Sequence, residues 1–343
     1  MKSTDLRILF AALLLLVSCI DKPNHFVHDV TQAPYPWTME PPERKDDKFT
    51  FAIIGDLHSG EREGVFEVAI EQLNMLRPEF VLSVGDLIDG GTEDTLTLKK
   101  QFDFFDQRAA RLNAPFFHVV GNHDITNMTM RKYWEQRYGK RYYHFVYKNV
   151  LFLVIDSEDY NETRMREIFE ARAEAIEVLD GPNPELARQM DYFKMTERST
   201  GTVGDEQSAY FEKVIASYPD ARWTFLFMHK PVWRREGEGN LSRIETALAT
   251  RNYTLINGHL HEYIYTQRNE RDYIMAATTS GGQNPLLENA FDHLMLVTID
   301  NEGPTIANLR MDGILDKTGE IPHGGDSLCF QASRCREPPE HQH

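Results

Sequence analysis

Cysteine is scarce in this chain of 343 residues: Cys19, Cys329 and Cys335 are the only three. That is too few for a disulfide-built scaffold or a cysteine-ligated zinc cluster. Any metal must be held by His, Asp and Asn. Positive charge is also short, with 37 Lys and Arg against 53 Asp and Glu and a formal net charge of −16. This balance excludes a generic polyanion binder and disfavours long nucleic acids, whose binding depends on cationic side chains neutralising phosphates. No apolar run reaches the roughly 20 residues needed to cross a bilayer, and no internal repeat is found. What the chain does have is 41% hydrophobic and 11% aromatic residues, enough for one large core or two modest ones.

The ends differ from the middle. Residues 1–18 carry Lys2 and Arg7 ahead of the apolar run Ile8 to Val17, the composition of a cleaved export signal. Leu16-Val17-Ser18-Cys19 resembles a bacterial lipobox, which implies an exported protein held at a membrane through an acylated Cys19. Residues 19–48 contain Pro23, Pro34, Pro36, Pro41 and Pro42 and read as an extended, stiff tether. Residues 311–343 read as a polar C-terminal tail whose Cys329 and Cys335 either pair or stay free.

The body, residues 49–310, holds short runs rich in Val, Ile and Phe: Phe49 to Ile54, Phe80 to Val84, Phe116 to Val120, Val150 to Ile155, Trp223 to Met228 and Tyr253 to Ile256. Near-continuous hydrophobicity predicts strands covered on both faces. Amphipathic patterns at Gly64 to Leu76, Leu96 to Leu112 and Asp205 to Ser217 predict helices between them, hence an α/β fold. Shorter strands are expected at Tyr263 to Tyr265, Tyr273 to Ala276 and His293 to Ile299. The segment 158–204 interrupts the pattern with a charged helix, Glu162 to Leu179, a Gly-Pro-Asn-Pro break and a second helical stretch. It is too long for a plain connection.

The chemistry lies in the turns at the strand ends. The first three strands end in Gly55-Asp56-Leu57-His58, Gly85-Asp86-Leu87-Ile88-Asp89 and Gly121-Asn122-His123-Asp124; two later ones end in Met228-His229-Lys230 and Gly258-His259-Leu260-His261. In open α/β sheets ligands bind beyond the carboxyl ends of strands, so these turns should converge on one crevice. Asp56, His58, Asp86, Asn122, His229, His259 and His261 are seven candidate ligands of oxygen and imidazole type. That is too many for one catalytic ion that keeps an open position. Two ions sharing Asp86 would accommodate them, at the roughly 3.5–4 Å spacing of two-metal hydrolases.

These five blocks, in order, resemble the signature of the calcineurin-like metallophosphoesterases: GDxH, GDxxD, GNH(D/E), a lone His, then GHxH. The resemblance implies a four-layer α-β-β-α sandwich of two mixed β-sheets with flanking helices. It further implies that Asp56, His58 and His261 bind one metal, that Asn122, His229 and His259 bind the other, and that Asp86 bridges. A metal-bridging hydroxide would be the nucleophile, His123 would protonate the leaving oxygen, Asp124 would orient His123, and Asp89 would support a turn or a ligand imidazole. In the purple acid phosphatases, a related branch, a tyrosine stands three residues after the bridging aspartate; here that place is Asp89, which argues against mixed-iron chemistry.

The expected activity is hydrolysis of phosphoric esters with two ions of Mn, Fe or Zn, all of which accept such ligands. Small organophosphates, nucleotides and lipid head groups are the expected substrates, with monoester and diester both open. The competing expectation is a surface-displayed binding protein that keeps the metal for structure, since a fold does not dictate a function. Arg62, Lys230, Arg234 and Arg235 stand near the motifs as possible phosphate clamps, and Trp233 as a stacking platform, with no sequence reason to prefer these roles over surface or core.

Overall fold

The structure, a computed structural model, describes residues 25–335; the expected export signal and Cys19 lie outside the described residues. Two mixed sheets face each other. One has the order β12 (Gly303–Arg310), β11 (His293–Asp300), β2 (Phe49–Ile54), β3 (Val81–Ser83), β4 (Phe116–Phe117). The other runs β1 (Phe26–His28), β5 (Tyr143–Tyr147), β6 (Val150–Val154), β7 (Trp223–Phe227), β8 (Tyr253–Asn257), β10 (Arg271–Met275), β9 (Ile264–Arg268). Strands β2, β3 and β4 are mutually parallel, as are β6, β7, β8 and β10. The carboxyl ends of β2, β3, β4, β7 and β8 deliver the five motif turns to one edge of the sandwich.

Strand β2 shows why its sequence is apolar throughout. Side chains alternate across a strand, and here Phe49, Phe51 and Ile53 enter the core between the sheets while Ala52 and Ile54 face the helices outside. The inter-sheet core is largely aromatic: the Phe51 ring lies 5.2 Å from Phe80 and from Phe225, and 5.3 Å from Phe152. Such pairs contribute about 0.5–1.5 kcal/mol each beyond burial.

Helices α1 (Val65–Leu76), α2 (Thr95–Ala109) and α3 (Met128–Tyr138) cover the five-stranded sheet; α6 (Asp205–Ser217) and α7 (Gly239–Ala247) cover the other. This is the α-β-β-α sandwich. The segment 158–204 forms α4 (Glu162–Leu179), a 3₁₀ turn at Pro184–Gln189, α5 (Asp191–Lys194) and a second 3₁₀ turn at Thr196–Arg198. Asn161 starts α4 by accepting the Arg164 amide at 2.9 Å, a standard N-cap.

The described part of the expected tether does not hang free: a short strand is followed by a bent path along the body. Val27 pairs with Val146 in the edge register of β5, and Phe26, Val30 and Trp37 are buried. Trp37 packs 5.7 Å from Phe117, and the Thr38 amide donates to the Phe116 carbonyl at 3.0 Å. Aromatic residues spaced among the prolines bury apolar surface, which anchors the stretch to the body. The tail does likewise: Phe330 and Gln331 are buried, and Cys329 and Cys335 form a disulfide. Among the described residues no helix is long and apolar enough to cross a membrane.

Candidate metal centre

Close approach of two turns comes first, because it dictates the glycines. A Cβ on Gly85, whose φ is +97°, would lie 2.8 Å from the backbone of Gly121; one on Gly121 would lie 2.3 Å from the Asp86 amide nitrogen. Only glycine fits at both. Asp86, His259 and His261 are held at positive φ, +57°, +84° and +57°. Backbone held this way costs of order 1–3 kcal/mol per residue and clusters at functional sites.

The side chains then meet. His229 is fully buried; its Nδ1 donates to the Val84 carbonyl at 2.8 Å, which turns Nε2 toward Asn122 Oδ1 at 3.0 Å and Asp86 Oδ2 at 3.1 Å. Asp56, also fully buried, accepts the His259 amide at 3.0 Å and lies 3.7 Å from both His229 Nδ1 and His261 Nε2. Donor atoms of Asp86, His229 and His259 all fall within 4.8 Å of one another. His259 Nε2 is 2.8 Å from the Arg198 carbonyl. His58 is turned differently: Nε2 lies 3.1 Å from Glu61 and Nδ1 3.3 Å from Asp89, with no hydrogen bond formed at that buried Nδ1.

Asp56 and Asp86 sit in the interior, and among the described residues no Lys or Arg pairs with either. Burial pushes the Asp56 carboxyl above the usual range, partly offset by His229 and His261. For Asp86 burial is outweighed by His229 and His123, which hold its carboxyl well below that range. Burial acts against charge on His229 too, yet Asp86 overcomes it and raises the imidazole to about 9. A proton thus stands where buried carboxylates call for a cation.

Asp124 does not orient His123. Its two oxygens accept the amides of Asp86 at 3.0 Å, Leu87 at 2.8 Å and Gly121 at 2.8 Å, so it binds two of the turns together instead. The His123 ring is set by Asp89: Nδ1 donates to the Asp89 carbonyl at 2.7 Å. A carbonyl only accepts, so Nδ1 carries the hydrogen and Nε2 is left for the cleft. This was hidden in the sequence because the partner is a backbone atom from another turn.

The nearby basic residues have structural duties. Arg62 donates to Asp292 at 2.6 Å and to the Cys329 carbonyl at 2.8 Å. Arg235 pairs with Glu197, and Trp233 caps the core, donating to Asn257 at 3.0 Å. Lys230 is buried, 2.9 Å from Glu158 Oε1 and 2.7 Å from the Glu197 carbonyl. It fastens both ends of the 158–204 segment to the strand that presents His229. Removing one partner of a buried pair leaves an uncompensated charge and costs about 3–5 kcal/mol. Lys230→Met is therefore expected to destabilise the fold by that much in a denaturant titration; an unchanged midpoint would show that the pair carries no anchoring role.

The sequence left open whether the 158–204 segment is a lid, a binding element or a surface embellishment. A cleft of about 350 Å³ opens over Asp86, Asn122, His123, His259 and His261, and its far wall is α4 with Arg172, α5, and the second 3₁₀ turn with Arg198. A larger cavity, about 750 Å³, lies around Phe49 and Glu79 at the opposite ends of the strands, away from these donors.

The model of the calcineurin-like phosphoesterase family matches residues 49–263, more than half of the chain. Among solved structures the chain is similar to a dimetal phosphatase from Danio rerio, at 15% identity over 76% of this chain and 98% of that one, with a TM-score of 0.50. It is also similar to GAP50, the anchor in the inner membrane complex of Plasmodium, at 16% identity over 80% and 87% with a TM-score of 0.45. A purple acid phosphatase from yellow lupin gives 12% over 73% and 49% at 0.45. No curated protein sequence matches. Identities this low bear on the fold alone.

Proposed function

Because the chain belongs to the calcineurin-like phosphoesterases, we propose that its cleft hydrolyses phosphoric esters with two metal ions held by Asp56, His58, Asp86, Asn122, His229, His259 and His261. The donor set fits such ions: it is all oxygen and imidazole, as Mn, Fe and Zn accept, and its buried carboxylates lack any Lys or Arg counter-charge among the described residues. When bound, such ions lower the pKa of coordinated water toward 7 and polarise phosphoryl oxygens.

The chain's own residues do the rest. Asp89 fixes the His123 tautomer, so the ring presents Nε2 to the cleft, where as imidazolium it donates a proton to the leaving oxygen. Burial, with Arg172 adding to it, holds the His123 pKa below its ordinary value against the pull of Asp86; an anionic ester beside the ring acts in the opposite direction and favours the acid form. Asp124 keeps the turns of Asp86 and Asn122 in place through backbone amides. His261 and His229 flank Asp56.

The observation that carries this reading is the meeting of Asp86, His229, Asn122 and His259, from separate strands of two sheets, around a carboxylate without a Lys or Arg partner. A panel of phosphate mono- and diesters with added Mn²⁺ tests it. Metal-dependent turnover of at least one class is expected; no turnover with metals shown to be bound would overturn it and favour the binding-protein reading.

A second test uses the proton on His229. Metal ligation needs neutral imidazole, so at pH 7 Mn²⁺ binding should release about one proton, read as a calorimetric enthalpy that varies with buffer ionisation. The sign for the metal-free protein is fixed by the same shift. A folded-state pKa of about 9 against 6.5 gives stability present below pH 6.5 and lost as pH rises through 9. The metal-free melting temperature should fall across that window.

Export followed by anchoring through Cys19 belongs to the same proposal. The Cys329–Cys335 disulfide supports it, since such bonds persist in oxidising compartments.

A further inference from the structure

The 158–204 segment does more than cover the cleft. On α4, Met165 and Ile168 enter a small core with Tyr160, and the same helical stripe, spaced by three and four residues, continues through Arg172, Ile176 and Leu179 into the cleft wall. A cation in the middle of an apolar stripe is out of place unless something anionic meets it. Arg172 has no ion-pair partner among the described residues, although 13 of the 22 described arginines do, and its guanidinium nitrogen lies 3.0 Å from where a Cβ on Gly91 would stand, beside the turn that orients His123.

Arg198 is likewise without an ion-pair partner among the described residues. Its guanidinium sits 4.6 Å from the centre of the Phe193 ring, and its carbonyl meets His259. Phe193 and Tyr192 form an edge-to-face pair 5.9 Å apart on the same wall, and Leu179 is 43% exposed there. The wall is held rigid from behind by Lys230 with Glu158 and by Arg164 and Arg235 with Glu197. The cavity is at the small end of the roughly 300–1,000 Å³ of ligand clefts, which pair apolar walls with a few polar groups that fix orientation.

Resting on the hydrolase reading above, we infer that the segment selects phosphoesters whose leaving group carries a flat aromatic ring. The ring lies against Phe193, Ile176 and Leu179, while Arg172 and Arg198 take phosphoryl oxygens. Guanidinium is suited to this by its planar, multiply donating fork, and aromatic faces pair well at the distances a slot of this size allows.

The test uses the full chain loaded with Mn²⁺ and two non-hydrolysable probes, phenylphosphonate and methylphosphonate, titrated by calorimetry, with phenyl and methyl phosphate as the kinetic counterparts. Wild type is expected to bind the phenyl probe about 10-fold more tightly than the methyl one. Phe193→Ala and, separately, Leu179→Ser should each reduce that ratio toward unity, whereas Arg172→Ala should weaken both probes alike by about 10-fold to 100-fold. Leu179 is exposed, so its variant keeps the test available if Phe193→Ala fails to fold. Equal binding of the two probes by wild type, or a ratio that survives both wall substitutions, overturns the inference. Calorimetry needs no turnover, so its failure is separate from that of the hydrolase reading, which fails only if no member of the mono- and diester panel is hydrolysed although the probes bind.

Discussion

Asp86→Asn is expected to remove activity almost entirely, by more than about 10³-fold, beyond the 10² to 10³ typical of losing a single transition-state contact. Asp86 is buried at 1% exposure, with Oδ1 accepting the His123 amide at 2.8 Å and Oδ2 facing His229 Nε2 at 3.1 Å. Asparagine keeps the shape and can still accept from His123. It lacks the negative charge that draws the proton to His229, and it would weaken both proposed ions at once. Elemental analysis should show metal content falling along with the rate. A fully loaded and active Asp86→Asn enzyme would end the proposal that this carboxylate is shared.

His123→Ala should separate chemistry from metal holding. Loss of a general acid typically slows a reaction by 10² to 10⁴, and a fall of about that size is expected here with metal content close to wild type. The ring is held through Nδ1 by the Asp89 carbonyl, so its removal leaves the other donors untouched. The deficit should shrink on p-nitrophenyl phosphate relative to phenyl phosphate, because nitrophenolate leaves without a proton. If the two substrates lose equally, or if metal is lost as severely as in Asp86→Asn, His123 is not the proton donor.

Much of this site could be read in the chain because each donor stands after an apolar strand, most of them beside a turn glycine, and strand ends converge whatever the intervening sequence does. The strands beginning at Phe49, Val150, Trp223 and Tyr253 have the expected starts. Helix α3 was missed because only Met130, Trp134 and Tyr138 carry the apolar part of its buried face, set among Arg, Lys, Glu and Gln. Strand β12, Gly303–Arg310, was missed because its residues are at most partly buried and begin with Gly-Pro. The role assigned to Asp124 failed because adjacency in sequence says nothing about which way two side chains turn. Arg172 and Arg198 were unreadable for a deeper reason: they reach the cleft only through the folding of a long segment with no strand to fix its direction.

The donors hang from two separately built halves. Asp56, His58, Asp86 and Asn122 come after strands of the five-stranded sheet, and His229, His259 and His261 after strands of the seven-stranded one. Neither half offers a complete coordination set. Uptake of the proposed cations would therefore report that stretches of polypeptide more than a hundred residues apart have come into register, and each ion, once seated, would act as a rivet across the seam.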